Sequence, residues 1–252
     1  MPTSVLYSGG NRLLDLLPKQ AREELSHELE MIQVASKEML VDKNGVIEFV
    51  YFPIDAMISK TSLMRDGSEV EVGSIGREGM AGIQCVFGIP RVPGKAFCQI
   101  PGTVVRLAAA TFMEWFEECP ALNKAVLAYA QATINVLEQC IACNIRHDVI
   151  ARCARWLLMT HDRVRTDEFP LTQEFLAMML GVRRNSVSLA ATDLQKAGLI
   201  EYTRGNIRVI NRAGLESASC ECYQVTIEQY DDLLGQSKDP PFKTLSVRGN
   251  SR

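Results

Sequence analysis

The apolar positions change period along the chain, and each period predicts a different kind of element. Residues 11–32 carry them at helical spacing, with Leu13, Leu14 and Leu17 before Pro18 and Leu25 and Leu29 after it. From about residue 39 to 107 short extended runs take over. Residues 46–52 follow the turn pair Asn44-Gly45, residues 57–64 end at Asp66-Gly67, and residues 69–72 alternate as a half-buried strand does. Glycines 73, 76, 79, 82, 88, 94 and 102 then punctuate a loop-rich stretch before residues 104–107. Short strands at such spacing predict a small antiparallel β-roll or barrel.

A long helix is expected next. Residues 112–116 look helical, Pro120 interrupts, and residues 121–144 contain neither glycine nor proline. Leu122, Val126, Tyr129, Thr133, Val136, Cys140 and Cys143 step by four and three, a heptad seam suited to pairing with a copy of itself. Leu127, Ala130, Ile134, Leu137 and Ile141 form a second apolar seam beside it. One seam is expected to pack on the roll and the other on a partner protomer; Val126, Tyr129, Thr133 and Val136 are assigned to the partner.

Residues 171–210 read as one compact unit. Thr172 can cap a short helix whose apolar stripe is Phe175, Leu176, Met179 and Leu180. Gly181 supplies the positive φ of a tight inter-helix turn. A second helix, from about 183 to 197, turns Val187, Ala190, Ala191 and Leu194 inward. The Ala177, Gly181, Val187 spacing is that of a helix-turn-helix. Gly198 stops the second helix, and residues 199–202 and 206–210 form two strands around Thr203-Arg204-Gly205, which completes a winged helix. Arginine takes guanine edges bidentately and asparagine takes adenine. The candidate DNA-contacting residues are therefore Thr172, Arg183, Arg184, Asn185, Ser186, Ser188, Thr192 and Arg204.

Charge points the same way. The chain carries −3 overall, whereas residues 146–212 hold 11 Lys and Arg against 7 Asp and Glu, a local excess of +4. No run approaches the ~18 apolar residues of a membrane span, and the N-terminus lacks a cationic stretch followed by an apolar one. Eight cysteines scattered through apolar stretches suggest reduced thiols. The expectation is a cytoplasmic protein with no membrane partner. Enzyme function finds little support: His27, His147 and His161 all lie outside the roll, and no nucleophile-elbow, phosphate-loop or zinc-protease pattern occurs. No catalytic residue and no cofactor are expected.

The order of leading helix, glycine-punctuated roll, long helix and winged helix-turn-helix resembles the Crp/Fnr family of bacterial transcription regulators, over roughly residues 11–223. The pieces NRLLDLLP, YFP and DGSEVEVGSIGREGMAG are similar to a branch of that family with no assigned effector. The resemblance implies an α+β fold: a cyclic-nucleotide-binding-like antiparallel β-roll over 11–110, a connecting and dimerisation helix over 111–145, and a winged helix-turn-helix over 146–225. A C-terminal tail, residues 226–252, follows, expected to be loose from Asp231 onward. It also implies a homodimer on double-stranded DNA, and often contact with RNA polymerase.

The departures from the family are specific. Cyclic-nucleotide binders hold the ribose with Gly-Glu and the cyclic phosphate with Arg-Ser. Here the comparable residues are Gly82-Ile83-Gln84-Cys85 and residues 89–95, so Ile83 replaces the glutamate and no Arg-Ser pair occurs. Arg91 and Lys95 are the remaining cations there, expected as solvated loop charges. Control by cyclic AMP is not expected. The cysteines that hold an iron–sulfur cluster near the N-terminus in oxygen-sensing relatives are absent, since the first cysteine is Cys85. Cys140, Cys143 and His147 fall on one helical face at i, i+3 and i+7, which makes a thiol- or metal-responsive sensor the alternative reading. Apolar seam filling is the expected role of the two thiols, with no metal assigned, and Cys220-x-Cys222 is weighed lower still.

Overall fold

The computed structural model describes residues 7–235. Two short helices, α1 (Arg12–Asp15) and α2 (Lys19–Ser26), lead into a roll of two antiparallel sheets. One sheet sets β7 (Gly102–Ala108) between β1 (Glu30–Val34) and β3 (Phe49–Pro53). The other runs β2 (Met39–Val41), β6 (Lys95–Ile100), β4 (Met57–Leu63), β5 (Glu69–Ile75). Met31 and Phe52 both face Val105 across the first sheet. The roll core gathers Leu13, Leu14, Phe52, Met80, Leu107 and Phe112, all essentially removed from water.

Asn11 explains why three separated sequence pieces belong together. Its Oδ1 caps α1 by accepting from Leu13 and Leu14, while its Nδ2 donates to the carbonyls of Pro53 and Gly79, each at 2.9 Å. The side chain is fully buried and uses both ends of its amide, as a buried polar group must. Gly79 has no substitute here, because an added Cβ would stand 2.0 Å from the Tyr129 ring.

α3 (Ala109–Glu118) and α4 (Pro120–Arg146) follow, with Pro120 at the start of α4, where its missing N–H costs nothing. α5 (Val149–Val164), β8 (Glu168–Pro170), α6 (Gln173–Leu180), α7 (Arg184–Lys196), β9 (Ile200–Thr203), β10 (Asn206–Val209), α8 (Arg212–Ala218) and α9 (Cys222–Leu234) complete the chain. The wing is three-stranded, with β10 between β8 and β9.

Several sequence expectations need correction. The helical pattern of residues 11–32 ends at Ser26, and residues 30–34 pair with β7 as a strand. The glycine-rich stretch contains β6, buried along nearly its whole length. The tail is not loose at Asp231: α9 continues to Leu234, burying Tyr230 and Leu234 in the roll core and packing along α4. Residues 236–252 of that expected tail lie outside the described residues. The two seams of α4 are also exchanged. Leu122, Val126, Tyr129 and Val136 are buried within their own chain, whereas Leu127, Ile134, Leu137, Ile141 and Ile145 face outward.

Candidate nucleic-acid interface

Thr172 caps α6 as expected, its Oγ1 accepting from the Phe175 N–H at 3.2 Å. Gly181 makes the turn with φ +61°, and Leu176, Leu180, Val187, Ala190 and Leu194 interlock α6 and α7 on the core of this domain. Packing on that side leaves one face of α7 open. Arg184, Asn185, Leu189 and Thr192 are exposed along it, with Arg183 at its N-cap and Leu189 68% exposed. An isolated leucine so exposed on a helix flanked by Arg and Asn suits contact with a thymine methyl.

The remaining candidates stand differently. Ser186 is half-buried. The Ser188 hydroxyl donates to Gln173 Oε1 at 2.7 Å, and the Thr192 hydroxyl donates to the Ser188 carbonyl at 2.7 Å, so both keep only acceptor capacity for a ligand. Arg204 and Gly205 form the wing turn, both with positive φ, which presents the Arg204 side chain to solvent at the tip. Arg183, Arg184 and Arg204 make no ion pair among the described residues.

Many of the cations behind the local excess of positive charge are committed elsewhere. Arg208 pairs with Glu168 at 2.6 Å, Arg212 with Asp162 at 2.7 Å, and Arg163 with Glu78 at 2.7 Å. His161 sits in the interior of the same network, with Nε2 2.8 Å from Asp167 and Nδ1 2.7 Å from Arg212. Since a guanidinium only donates, Nδ1 is an acceptor and the imidazole is neutral with its proton on Nε2. Burial depresses its pKa, partly opposed by the Asp167 hydrogen bond.

The helix-turn-helix unit rests on the roll through a joint that sequence reasoning missed. Arg163 of α5 reaches the end of β5 and the loop after it, where Glu78 of the loop holds it and the Ser74 hydroxyl of β5 accepts a second bond at 2.7 Å. Gly76 lets this happen, since a Cβ there would meet Arg163 Cγ at 2.4 Å. Phe97 of β6 meets Phe175 of α6 edge-on at 5.9 Å. Trp156 Nε1 lies 3.4 Å from Glu71, whose other carboxylate oxygen accepts from Ser59 at 2.7 Å. Burial lifts the Glu71 carboxyl to about 7, against the lowering effect of those two donors. The signal for this joint was present as the GSIGREGMAG piece, whose glycines and glutamate have no reason to occur together until α5 is beside them.

A cavity of about 500 Å³ lies between the roll, α4 and α5, lined among others by Glu71, Ile83, Thr133, Leu137, Trp156 and Met159. Ile83 is among its lining residues. Arg91 and Lys95 are not: Arg91 donates to the Asn44 carbonyl at 2.9 Å, and Lys95 pairs with Glu69.

The Cys140, Cys143, His147 triple does not assemble. Cys140 stands apart, 3.5 Å from Arg155 Nη1, while Cys143 and His147 meet Cys220 and Cys222 from the far end of the chain.

Residues 151–218 match the family of Crp-like helix-turn-helix domains. The fold resembles FixK2 from Bradyrhizobium japonicum, with 15% identity, a TM-score of 0.62, and coverage of 76% of this chain and 98% of that one. TTHB099, a CRP-family transcriptional regulator from Thermus thermophilus, is similar at 19% identity and TM-score 0.62, over 75% and 96% of the two chains. So is the c-di-GMP responsive global regulator CLP of Xanthomonas campestris, at 11% identity and TM-score 0.59, over 76% and 99%. No curated protein matches the sequence. Residues 151–218 are thus similar to Crp-like helix-turn-helix domains, and the overall fold is similar to that of these solved structures. Among the described residues no helix is long and apolar enough to cross a membrane.

Proposed function

We propose that the chain regulates transcription in the cytoplasm as a homodimer, each protomer laying α7 in a major groove of an inverted-repeat promoter site. The observation that carries this reading is the pairing of an open reading face on α7 with an uncovered apolar stripe on α4. Leu127, Ile134 and Ile141 recur at seven-residue intervals, with Leu137 and Ile145 beside them, and Ile141 and Ile145 are 62% and 82% exposed. Such a stripe is the seam of a two-stranded coiled coil, and a second copy would cover it. Dimerisation also brings two recognition helices to grooves about one DNA turn apart.

In this reading residues 11–110 are the sensory unit, 111–145 the connection and 146–225 the DNA-binding unit, with α9 bracing the connection. Arg184 and Asn185 read base edges. Arg183 and Arg204 hold phosphates, supported by Thr172, Ser186, Ser188 and Thr192 as acceptors or packing neighbours. Cyclic AMP is not the signal. Ile83 offers no acceptor to a ribose hydroxyl, Arg91 and Lys95 lie outside the cavity, and of the cations that line it, Lys60, Arg155 and Arg163, the last is already held by Glu78. Each unsatisfied group costs on the order of 1–3 kcal/mol.

Sedimentation of the protein with a labelled duplex carrying its promoter site tests both parts. Two chains per duplex, with no response to cyclic AMP, is the expected result. One chain per duplex contradicts the dimer, and micromolar cyclic AMP binding contradicts the reading of the cavity.

A further inference from the structure

We infer that Cys143, His147, Cys220 and Cys222 form a tetrahedral zinc(II) site that ties the end of α4 to the turn between α8 and α9. The four ligand atoms all lie within 4.8 Å of one another, although Cys143 and His147 are separated from Cys220 and Cys222 by more than 70 positions in sequence. Cys143 Sγ is 3.6 Å from Cys220 Sγ, and Cys222 Sγ is 3.6 Å from His147 Nδ1. Zinc bond lengths of about 2.3 Å to sulfur and about 2.0 Å to nitrogen give tetrahedral edges of about 3.8 Å (S to S) and about 3.5 Å (S to N). These two separations lie within about 0.2 Å of those edges, and the other pairs of ligand atoms lie within 4.8 Å. They are far from the roughly 2.05 Å of a disulfide.

The surroundings are arranged as metal-site surroundings are. His147 Nε2 lies 3.1 Å from the Glu221 carboxylate, so Nε2 carries the proton and the Nδ1 lone pair is left for the ion. Gln139 Nε2 lies 3.0 Å from Cys222 Sγ and can donate to a thiolate there. Three thiolates, a neutral imidazole and Zn²⁺ leave one net negative charge, and the buried guanidiniums of Arg152 and Arg155 act on these sulfurs to balance it. Three sulfurs and one imidazole favour zinc over hard cations that prefer oxygen. Cys143, Cys220 and Cys222 are buried, while the His147 side chain retains 19% exposure, which leaves a way in.

The position gives the site its consequence. Cys143 is in the last turn of α4, His147 is its C-cap, and Asp148 is the N-cap of α5. Cys222 opens α9 and Cys220 lies two residues before it. An ion held there would fix the bend by which the long helix hands over to the DNA-binding unit. The inference stands whether or not the chain binds DNA, because its test reads the metal directly.

The test is metal content of the full chain purified under a phosphine reductant, followed by cobalt(II) titration of protein stripped with chelator. We expect about one zinc per chain, and a cobalt spectrum with intense visible d–d bands and a thiolate charge-transfer band in the near ultraviolet. Cys220→Ser should remove one thiolate contribution and weaken cobalt binding, whereas Cys140→Ser should leave both unchanged. Glu221→Ala should weaken zinc by about 10- to 100-fold and leave the tetrahedral band positions in place. Reduced wild-type protein that holds no zinc and gives no thiolate–cobalt band overturns the inference, as does a Cys143–Cys220 disulfide that forms in protein unable to take up metal. The wild-type titration decides the matter even if a variant fails to fold.

Discussion

Glu78 and Arg163 are the residues at which the roll and the helix-turn-helix unit hold each other, and replacing Glu78 by alanine should release them. The pair is 2.7 Å apart with side chains 10% and 6% exposed, and Glu78 also accepts from the Gly76 N–H at 3.1 Å. Among the described residues, the guanidinium left behind would keep the Ser74 hydroxyl as its one hydrogen-bond partner at that end. Removing one member of such a pair costs about 3–5 kcal/mol, because the other charge stays buried without compensation. Arg163 can recover its hydration only if α5 lifts from the roll, so the cost appears as opening of the joint. At about 1.4 kcal/mol per factor of ten, opening should become about a hundredfold to several thousandfold more frequent. Amide exchange along β6 and α6 reads this directly, since Phe97 and Phe175 part when the joint opens. The double variant Glu78→Leu/Arg163→Met should recover much of the loss by restoring an uncharged contact. Exchange in Glu78→Ala within about threefold of wild type would refute the reasoning, because a buried pair cannot be cut at so little cost.

Four further outcomes follow from the same structure. Ile141→Glu should give monomers by analytical ultracentrifugation with the fold intact, whereas Val136→Glu should destabilise the chain itself by about 3 kcal/mol or more, since Val136 is buried in its own core. The Glu71 carboxyl titrates near 7 when folded and near its ordinary 4.5 when unfolded, so its contribution is complete below 4.5 and is lost as pH rises through about 7. Thermal melts should show that loss, and Glu71→Gln should remove it. His161 runs the other way: burial lowers its pKa, so its contribution is present above its ordinary 6.5 and is lost as pH falls below that value, which acid unfolding of wild type should show. Arg204→Ala should weaken binding to all duplexes alike and reduce the salt slope by about one, as measured by fluorescence anisotropy across salt.

What the sequence made legible was local. The α6–α7 pair could be read because its cap, its glycine turn and its inward stripe all lie within about two dozen residues. The strands β4, β5 and β7 were visible from alternation and turn pairs. β6 was not: it is buried along nearly all its length, so it shows no alternation, and Pro93-Gly94 before it looks like loop. β8 is three residues long and exists only because β10 offers it an edge. α9 went unread because its buried positions include Cys222, Thr226 and Tyr230, and Asp231-Asp232 suggested a solvated end. The exchanged seams of α4 share that cause. Two apolar seams are equivalent in the sequence until the roll and α9 enclose one of them, with Tyr129 against Gly79 of the roll and Asn135 bonded to Gln229 of α9 at 2.7 Å. The cysteine cluster was hidden for the same reason, since its halves are joined only by the return of α9 to α4.

The central claim is that α7 reads DNA with Arg184 and Asn185. Its most direct test is selection from random duplexes by wild-type protein and by Arg184→Ala. Wild type should enrich an inverted repeat whose half-sites each carry one strongly preferred guanine, with adenine favoured at a neighbouring position. Arg184→Ala should keep the repeat, lose about 1–3 kcal/mol of affinity and relax the choice at that guanine alone. Enrichment of no sequence by wild type, or an unchanged guanine preference in Arg184→Ala, would contradict the account.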